Sequence, residues 1–349
     1  MSLANKHVSP DRIEFSGHLS LSEIEELACN ADLRVLQCSS PVDPATWDLI
    51  NSELLTRRPE IQLRVFGFYS SVCDLSFVTQ LTNVRHFSAD CLLEARGVEN
   101  VAALENLESL SIGIFNLTNF AFLNEVPKGI RQLSLEATRS KKPRLDHLAR
   151  FHSLRKLYLE GQQNGIEVLS GLTTLEDLTL RSITTQGLEY IAGLDRLTSL
   201  DIKLGGIKNL SAIEGKKSIK YLELWQIQGL RNISVISTLL GLQYLYLQAL
   251  RNVIEFPDVS QLASLRRIHL ENMKALIDVS ALSQSTSLRE LVHISAQNLA
   301  PTQYASLLKI PTLKQAVVGF GNKRKNQVFE RMMRESGIEK FKGEQFVFE

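Results

Sequence analysis

The chain has 349 residues, a formal net charge of +1, and 44% hydrophobic and 22% charged residues, the balance of a folded protein rather than a disordered one. A charge so near zero gives no whole-chain attraction to nucleic acid or to an anionic membrane. No apolar run approaches the ~18 residues of a membrane span, and the opening "MSLANKHVSPDRIEF" lacks an apolar signal-peptide core.

In chain order, the first element is "RIEF", where Ile13 and Phe15 alternate with charged residues as in a strand. "SLSEIEELACNA" reads as a short amphipathic helix. "LRVLQC" at Leu33 is a strand, followed by a helix in "DPATWDLINSELLTRR" capped by Asp43 or Thr46. "LRVFGF" at Leu63 and "VRHFSA" at Val84 repeat the strand pattern. Then come "LESLSI" at Leu107, "IRQLSL" at Ile130, "LRKLYL" at Leu154, "LEDLTL" at Leu175 and "LTSLDI" at Leu197. "IKYLEL" at Ile219, "LQYLYL" at Leu242, "LRRIHL" at Leu265 and "LRELVH" at Leu288 continue the series, with starts 21 to 24 residues apart between Leu107 and Leu288. "LKQAVV" at Leu313 is a last, weaker copy. Beyond it, "NKRKNQVFERMMRESG" places Val328, Phe329, Met332 and Met333 on one helix face, and "EQFVFE" alternates like a strand.

The segments between strands follow a second rule. Apolar residues stand nine, six and three positions before a strand start, as in Leu145, Leu148, Phe151; Ile166, Leu169, Leu172; Leu188, Ile191, Leu194; and Ile233, Ile236, Leu239. A spacing of three suits a 3₁₀ turn facing inward. Each unit is therefore a strand, a bend and a tight helical return. One such unit cannot bury its own apolar edge, whereas stacked neighbours can.

Through the L-x-x-L-x-L motif repeated along roughly residues 30 to 320, the chain resembles the leucine-rich repeat superfamily. It looks most like short-repeat forms such as bacterial internalin-type proteins and the repeat subunit that regulates protein phosphatase 1. The resemblance implies an α/β solenoid, a curved array with a parallel concave β-sheet and short 3₁₀ or helical convex segments. The expected organisation is an N-terminal cap at 1–32, about 13 repeats over 33–318 and a C-terminal helical cap at 319–349. One departure stands out. The post-strand position that usually holds Asn holds Phe115, Ile183, Ile227, Leu250 and Met273, so apolar packing is expected to replace an Asn ladder.

Stacked parallel strands align equivalent positions into columns about 4.8 Å apart. The third, fifth and seventh motif residues face away from the core, onto the concave surface these folds use for binding. Tyr158, Asp201, Glu223, Tyr246 and His269 belong to the fifth column, Tyr221, Tyr244 and Arg267 to the third, and Trp225 to the seventh. Four of the seven tyrosines and one of the two tryptophans thus fall on one face. Trp, Tyr and Arg are the residues most enriched at interface hot spots, which makes Tyr221, Trp225, Tyr244, Tyr246 and Arg267 the expected anchors for a protein partner. Asp201, Glu223 and His269 are their charged neighbours. Tyr158 belongs with Arg155, Lys156 and Arg181 in a more basic group.

Catalysis is not expected. Asp201 and Glu223 are lateral neighbours, but His269 lies about 10 Å beyond by strand spacing, on a sheet read as open and without a water-excluding pocket. No G-x-S-x-G, P-loop or H-E-x-x-H occurs. Cys29, Cys38, Cys73 and Cys91 form no C-x-x-C and have no His at ligand spacing, so no metal or cofactor is expected and the thiols read as buried in a reducing cytoplasm. Lys323 to Lys325 and "RSKKPR" (139–144) read as solvated surface. The expected function is a non-catalytic protein-interaction scaffold, monomeric before its partner binds. A stoichiometric inhibitor or immunity protein comes first, since no linker, tail or second domain is evident, and an adaptor or regulatory subunit second. A nucleic-acid binder using Arg155, Lys156, Arg181, Arg266 and Arg267 is the alternative from another class.

Overall fold

The computed structural model describes residues 5–69 and 71–349. It divides into two compact units at Thr174 and Leu175.

The first unit carries strands Asn5–Ser9 (β1), Arg12–Phe15 (β2), Val35–Cys38 (β3), Gln62–Phe66 (β4), Cys73–Asp74 (β5), His86–Leu92 (β6), Ala95–Arg96 (β7), Ser109–Ile114 (β8), Gln132–Leu135 (β9) and Lys156–Glu160 (β10). Its sheet runs β1-β2-β3-β4-β6-β8-β9-β10, antiparallel at β1/β2 and parallel from β2 onward. β5 and β7 form a small parallel pair of their own. Helix Leu21–Cys29 (α1) begins at a reciprocal capping box between Ser20 and Glu23 and buries Ile24 and Leu27. Helix Pro44–Leu49 (α2) is capped by Asp43, whose Oδ1 accepts from the Ala45 N–H at 2.9 Å, and runs on into a π-turn at Ile50–Leu54. Thr46 is not the cap; it is buried, and its hydroxyl accepts from the Leu19 N–H at 3.0 Å. The thiols divide. Cys38 and Cys73 are buried, but Cys29 and Cys91 are exposed, contrary to the expectation of four buried cysteines.

The second unit carries strands Asp177–Arg181 (β11), Ser199–Lys203 (β12), Tyr221–Trp225 (β13), Tyr244–Gln248 (β14), Arg267–Glu271 (β15), Glu290–Ile294 (β16), Gln315–Val318 (β17) and Glu339–Lys340 (β18). All pair in parallel in sequence order, residue for residue. Leu222 and Leu224 are fully buried and stand opposite Leu245 and Leu247, also buried. The apolar triplets before each strand are likewise core, as Ile233, Ile236 and Leu239 illustrate. Many of the 3₁₀ returns start from an Asx turn. The side chains of Asn209, Asn232 and Asp278 accept from the N–H two residues on at 2.8–2.9 Å, and Asp258 makes the same Asx turn ahead of a return without a 3₁₀ helix.

The bend after each strand is built without an Asn ladder. Ser182, Leu204, Gln226, Ala249, Asn272 and Ser295, each the first residue past its strand, take left-handed φ values of 49° to 62°. The N–H groups of the first five donate to the terminal strand carbonyl of the following repeat at 2.7–3.0 Å. The next residue turns inward, so Ile183, Ile227, Leu250 and Met273 are buried as expected. Phe115, in the first unit, is instead 44% exposed.

Helix Lys323–Glu335 (α3), capped by Asn322, presses Phe329 against Tyr304 (5.5 Å between ring centres) and Phe320 (5.9 Å), with Met333 also buried. Beneath it lies one break in the apolar pattern. His293 takes the core position that Leu270 holds one repeat earlier. It is fully buried, with Nδ1 2.8 Å from the Tyr304 hydroxyl, and its Nε2 has no hydrogen-bond partner.

Two expectations follow. A left-handed φ costs an L-residue roughly 1–2 kcal/mol that glycine avoids. Ala249→Gly should therefore raise unfolding stability by about 0.5–1 kcal/mol, and Ala249→Val should lower it, in urea titrations. The second concerns pH. Burial pushes the His293 pKa down to about 4, whereas the unfolded chain titrates near 6.5. The unfolded state then holds the extra proton between those values, so stability is full above pH 6.5 and falls as pH drops toward 4. The loss attributable to His293 should reach about 3 kcal/mol. The doubly substituted His293→Leu, Tyr304→Phe chain should show a correspondingly flatter stability profile from pH 7 to 4.

Candidate binding face

Parallel pairing in register places the predicted residues in rows. Tyr221 stands beside Tyr244 and Tyr244 beside Arg267; Asp201, Glu223, Tyr246 and His269 form the next column; Lys203, Trp225 and Gln248 the one after. All of these side chains point away from the leucine core. Tyr158 lies on β10 of the first unit, as does Lys156, while Arg181 lies on β11 of the second.

The patch is dense with internal contacts. Tyr221 donates to Glu223 at 2.8 Å, and Lys203 Nζ pairs with the same carboxylate at 3.0 Å. Tyr221 and Tyr244 meet edge to face at 5.1 Å. Tyr246 donates toward Gln248 and Glu271, and its ring packs on His269 at 4.5 Å. Burial pushes the Asp201 carboxyl upward in pKa; Lys203 opposes the shift, and Glu223 and Asp177 add to it. Asp201 Oδ2 accepts from Thr179 at 3.2 Å, while Oδ1 is buried without a partner. Burial lowers the His269 pKa, so this ring is held neutral more firmly than a free imidazole. Trp225 lies under the Arg181 guanidinium, 5.7 Å from the ring centre, and its buried Nε1–H has no acceptor.

The expectation of an open sheet fails at one end of this patch, because the chain's own final segment lies across it. After β18, the Phe341 N–H donates to Ala316 O at 3.1 Å and the Lys342 N–H to Gln315 Oε1 at 3.1 Å. The chain turns at Gly343, whose φ of 75° favours glycine, and "EQFVFE" then crosses the strand starts instead of adding the strand its alternation predicts. Phe346 packs on Tyr244 at 5.2 Å and Phe348 on Tyr221 at 6.2 Å. Arg267 is not an exposed anchor. It is buried between Glu290, the rings of Tyr244, Phe341 and Phe346, and the Glu344 carbonyl, which accepts from Nη2 at 3.0 Å.

The residues that hold this segment's end were missed by attention to the third, fifth and seventh columns. They sit in the second. Lys220, Gln243, Arg266, Arg289 and Lys314 occupy that position in five successive repeats, four of them cationic. Lys220 Nζ and Gln243 Nε2 donate to the Glu349 main-chain oxygen at 2.6 and 2.9 Å, and Gln243 Oε1 accepts from the Glu349 N–H at 2.9 Å. Arg266 reaches the Glu349 carboxylate at 2.6 Å and the Val347 carbonyl at 2.8 Å. The signal was readable in "IKYL", "LQYL", "LRRI", "LREL" and "LKQA".

The first unit's outward face carries a largely buried ion pair. Arg64 binds Asp90 and Gln37 and lies over the Phe66 ring at 4.4 Å.

No protein-family model matches the sequence, and comparison with curated proteins finds no match. Among solved structures, an internalin (InlF) from Listeria monocytogenes superposes with a TM-score of 0.57 at 21% identity, over 88% of this chain and 86% of that one. The chain is a leucine-rich-repeat solenoid. Internalin C2 of Listeria monocytogenes covers 62% of this solenoid and 83% of its own chain at 20% identity and a TM-score of 0.40. A leucine-rich repeat protein of Leptospira interrogans covers 93% and 99% at 14% identity and 0.41. Among the described residues of the solenoid, no helix is long and apolar enough to cross a membrane. None of its described His, Cys, Asp and Glu side chains group in threes that could hold a metal ion.

Proposed function

We propose that this solenoid is a non-catalytic protein-interaction scaffold. It binds a partner protein on the outward sheet face of the second unit through Tyr221, Trp225, Tyr244 and Tyr246, flanked by Asp201, Glu223 and His269, with the buried Arg267 packed on the Tyr244 ring as its support rather than as a contact. The observation that carries the reading is Trp225. A large ring on the solvent side of a sheet, held under a guanidinium, with a buried indole N–H that has no acceptor, is costly to the free protein. A partner that supplies an acceptor recovers that cost, which is how hot-spot tryptophans act. Tyr158 on the first unit is a separate candidate contact.

A stoichiometric inhibitor or immunity protein is the first form of this reading, and an adaptor that recruits an effector is the second. Loss of a partner enzyme's activity at one-to-one stoichiometry separates them. The four free thiols favour a reducing compartment, and we place the protein in the cytoplasm as a monomer before binding. Residues 1–32 and 319–349 are read as the caps of the array. The nucleic-acid reading loses support, because Arg266 and Arg267 are engaged by Glu349 and Glu290.

The test uses Trp225→Ala and Tyr246→Ala in affinity capture, followed by titration against the captured partner. Each should weaken binding by about 2 kcal/mol, roughly thirtyfold, with little change in thermal unfolding. Lowered stability with unchanged affinity would show that these rings only brace the sheet.

A further inference from the structure

The second-position column and the terminal segment meet as a receptor and its ligand do. The segment is held at several points along its length, while much of its outer side stays exposed. Its start is tied to β17 through main-chain bonds, and its end to Lys220, Gln243 and Arg266. Two rings at i and i+2, Phe346 and Phe348, rest on Tyr244 and Tyr221. Yet Val347 is 73% and Phe348 46% exposed. A cleft of ≈ 520 Å³ remains open beside the two phenylalanines, bounded by Asp177, Ser199, Lys220, Tyr221 and Tyr244. The seat is therefore larger than its occupant.

We propose that this groove is a peptide-binding site for a partner's extended segment bearing aromatic-x-aromatic followed by an acidic residue, and that residues 341–349 occupy it in cis until that segment displaces them. This rests on the reading that the outward face binds protein, and it names the chemistry of the partner. The charge argument is local. Four cations within five successive repeats line the strand starts of a chain whose net charge is only +1. Three of them, Lys220, Arg266 and Arg289, meet main-chain oxygens or the Glu349 carboxylate in the structure, the groups an acidic peptide presents. The aromatic shelf then selects the two rings. A tethered occupant acts at an effective concentration in the millimolar range, so it outcompetes weak ligands and yields only to a segment that fills the open cleft as well. The face is thereby kept from non-specific apolar contact while its partner is absent.

The experiment uses the full chain and a fluorescently labelled peptide, KFKGEQFVFE, which reproduces residues 340–349. Phe346→Ser with Phe348→Ser releases the tail. Glu349→Lys is a second, milder release that changes one exposed side chain. In fluorescence anisotropy at low salt, the released chains should bind the peptide at least ~10-fold more tightly than the wild type does. Arg266→Ala added to the released chain should abolish most of that binding, and a peptide with both phenylalanines replaced by serine should not bind. Equal binding to wild-type and released chains, or none to either released chain, overturns the proposal. So does a wild-type chain that dimerises by exchanging tails, since the occupant would then be a second copy. The outcome is separable from that of the broader reading. Weakened partner binding in Trp225→Ala with no peptide binding sinks the groove alone, whereas peptide binding with an unaffected Trp225→Ala sinks the aromatic anchors and leaves the groove standing.

Discussion

Main-chain hydrogen bonding between equivalent residues of successive strands is the constraint on which the second unit depends. Each repeat supplies one edge of apolar side chains that it cannot bury alone. The parallel ladder fixes which residue of the next repeat covers it: Leu222 lies beside Leu245, Leu245 beside Ile268 and Ile268 beside Leu291. A slip of one residue would turn this leucine column to solvent and bring Tyr221, Glu223 and Trp225 into the core. The same ladder continues into the bends, where left-handed residues other than glycine hand their N–H groups to the next repeat. Those bends carry local strain at every turn, and the regularity of the stack sustains it.

Register also creates the chemistry of the outward face. A repeat varies freely at the second, third, fifth and seventh positions, and stacking converts those choices into columns. The second column becomes a run of cations, the third an aromatic shelf that ends in Arg267, and the fifth a row of carboxyl, phenol and imidazole groups. Charge is balanced locally. Lys203 answers Glu223, and Arg267 answers Glu290. Asp201 is the exception, since one of its oxygens is buried without a partner. A sheet face of this kind offers aromatic area and directed charge, the materials of a recognition surface.

Most of the fold was legible in the sequence because its determinants are local and repeated. Leu222 and Leu224 declare the strand and its buried face, and Ile233, Ile236 and Leu239 declare the inward side of the return. The Asx turns at Asn209, Asn232, Asp258 and Asp278 were equally local but were not read. The left-handed bends were not legible, since Leu204, Gln226 and Ala249 carry no preference for that conformation and adopt it because the stack requires it. The candidate face was half legible. Its columns followed from the period, but its cover did not. "EQFVFE" alternates as a strand does, and only the distant side chains of Lys220, Gln243 and Arg266, two cations and an amide, draw it across the sheet. That contact spans more than a hundred residues of sequence for Glu349 and Gln243 and has no local signature. His293 was invisible for a related reason: it sits in a leucine position, and the Tyr304 hydroxyl that accommodates it comes from the next return.

The central claim is that the terminal segment lies on the outward face of the second unit. Amide hydrogen exchange on the intact chain tests it most directly. The Phe341 N–H, bonded to Ala316 O, and the Glu349 N–H, bonded to Gln243 Oε1, should exchange measurably more slowly than in the free peptide of the same sequence, and Gln243→Ala should remove the protection at Glu349 while leaving it at Phe341. Free-peptide exchange rates at both amides in the intact chain would contradict the account.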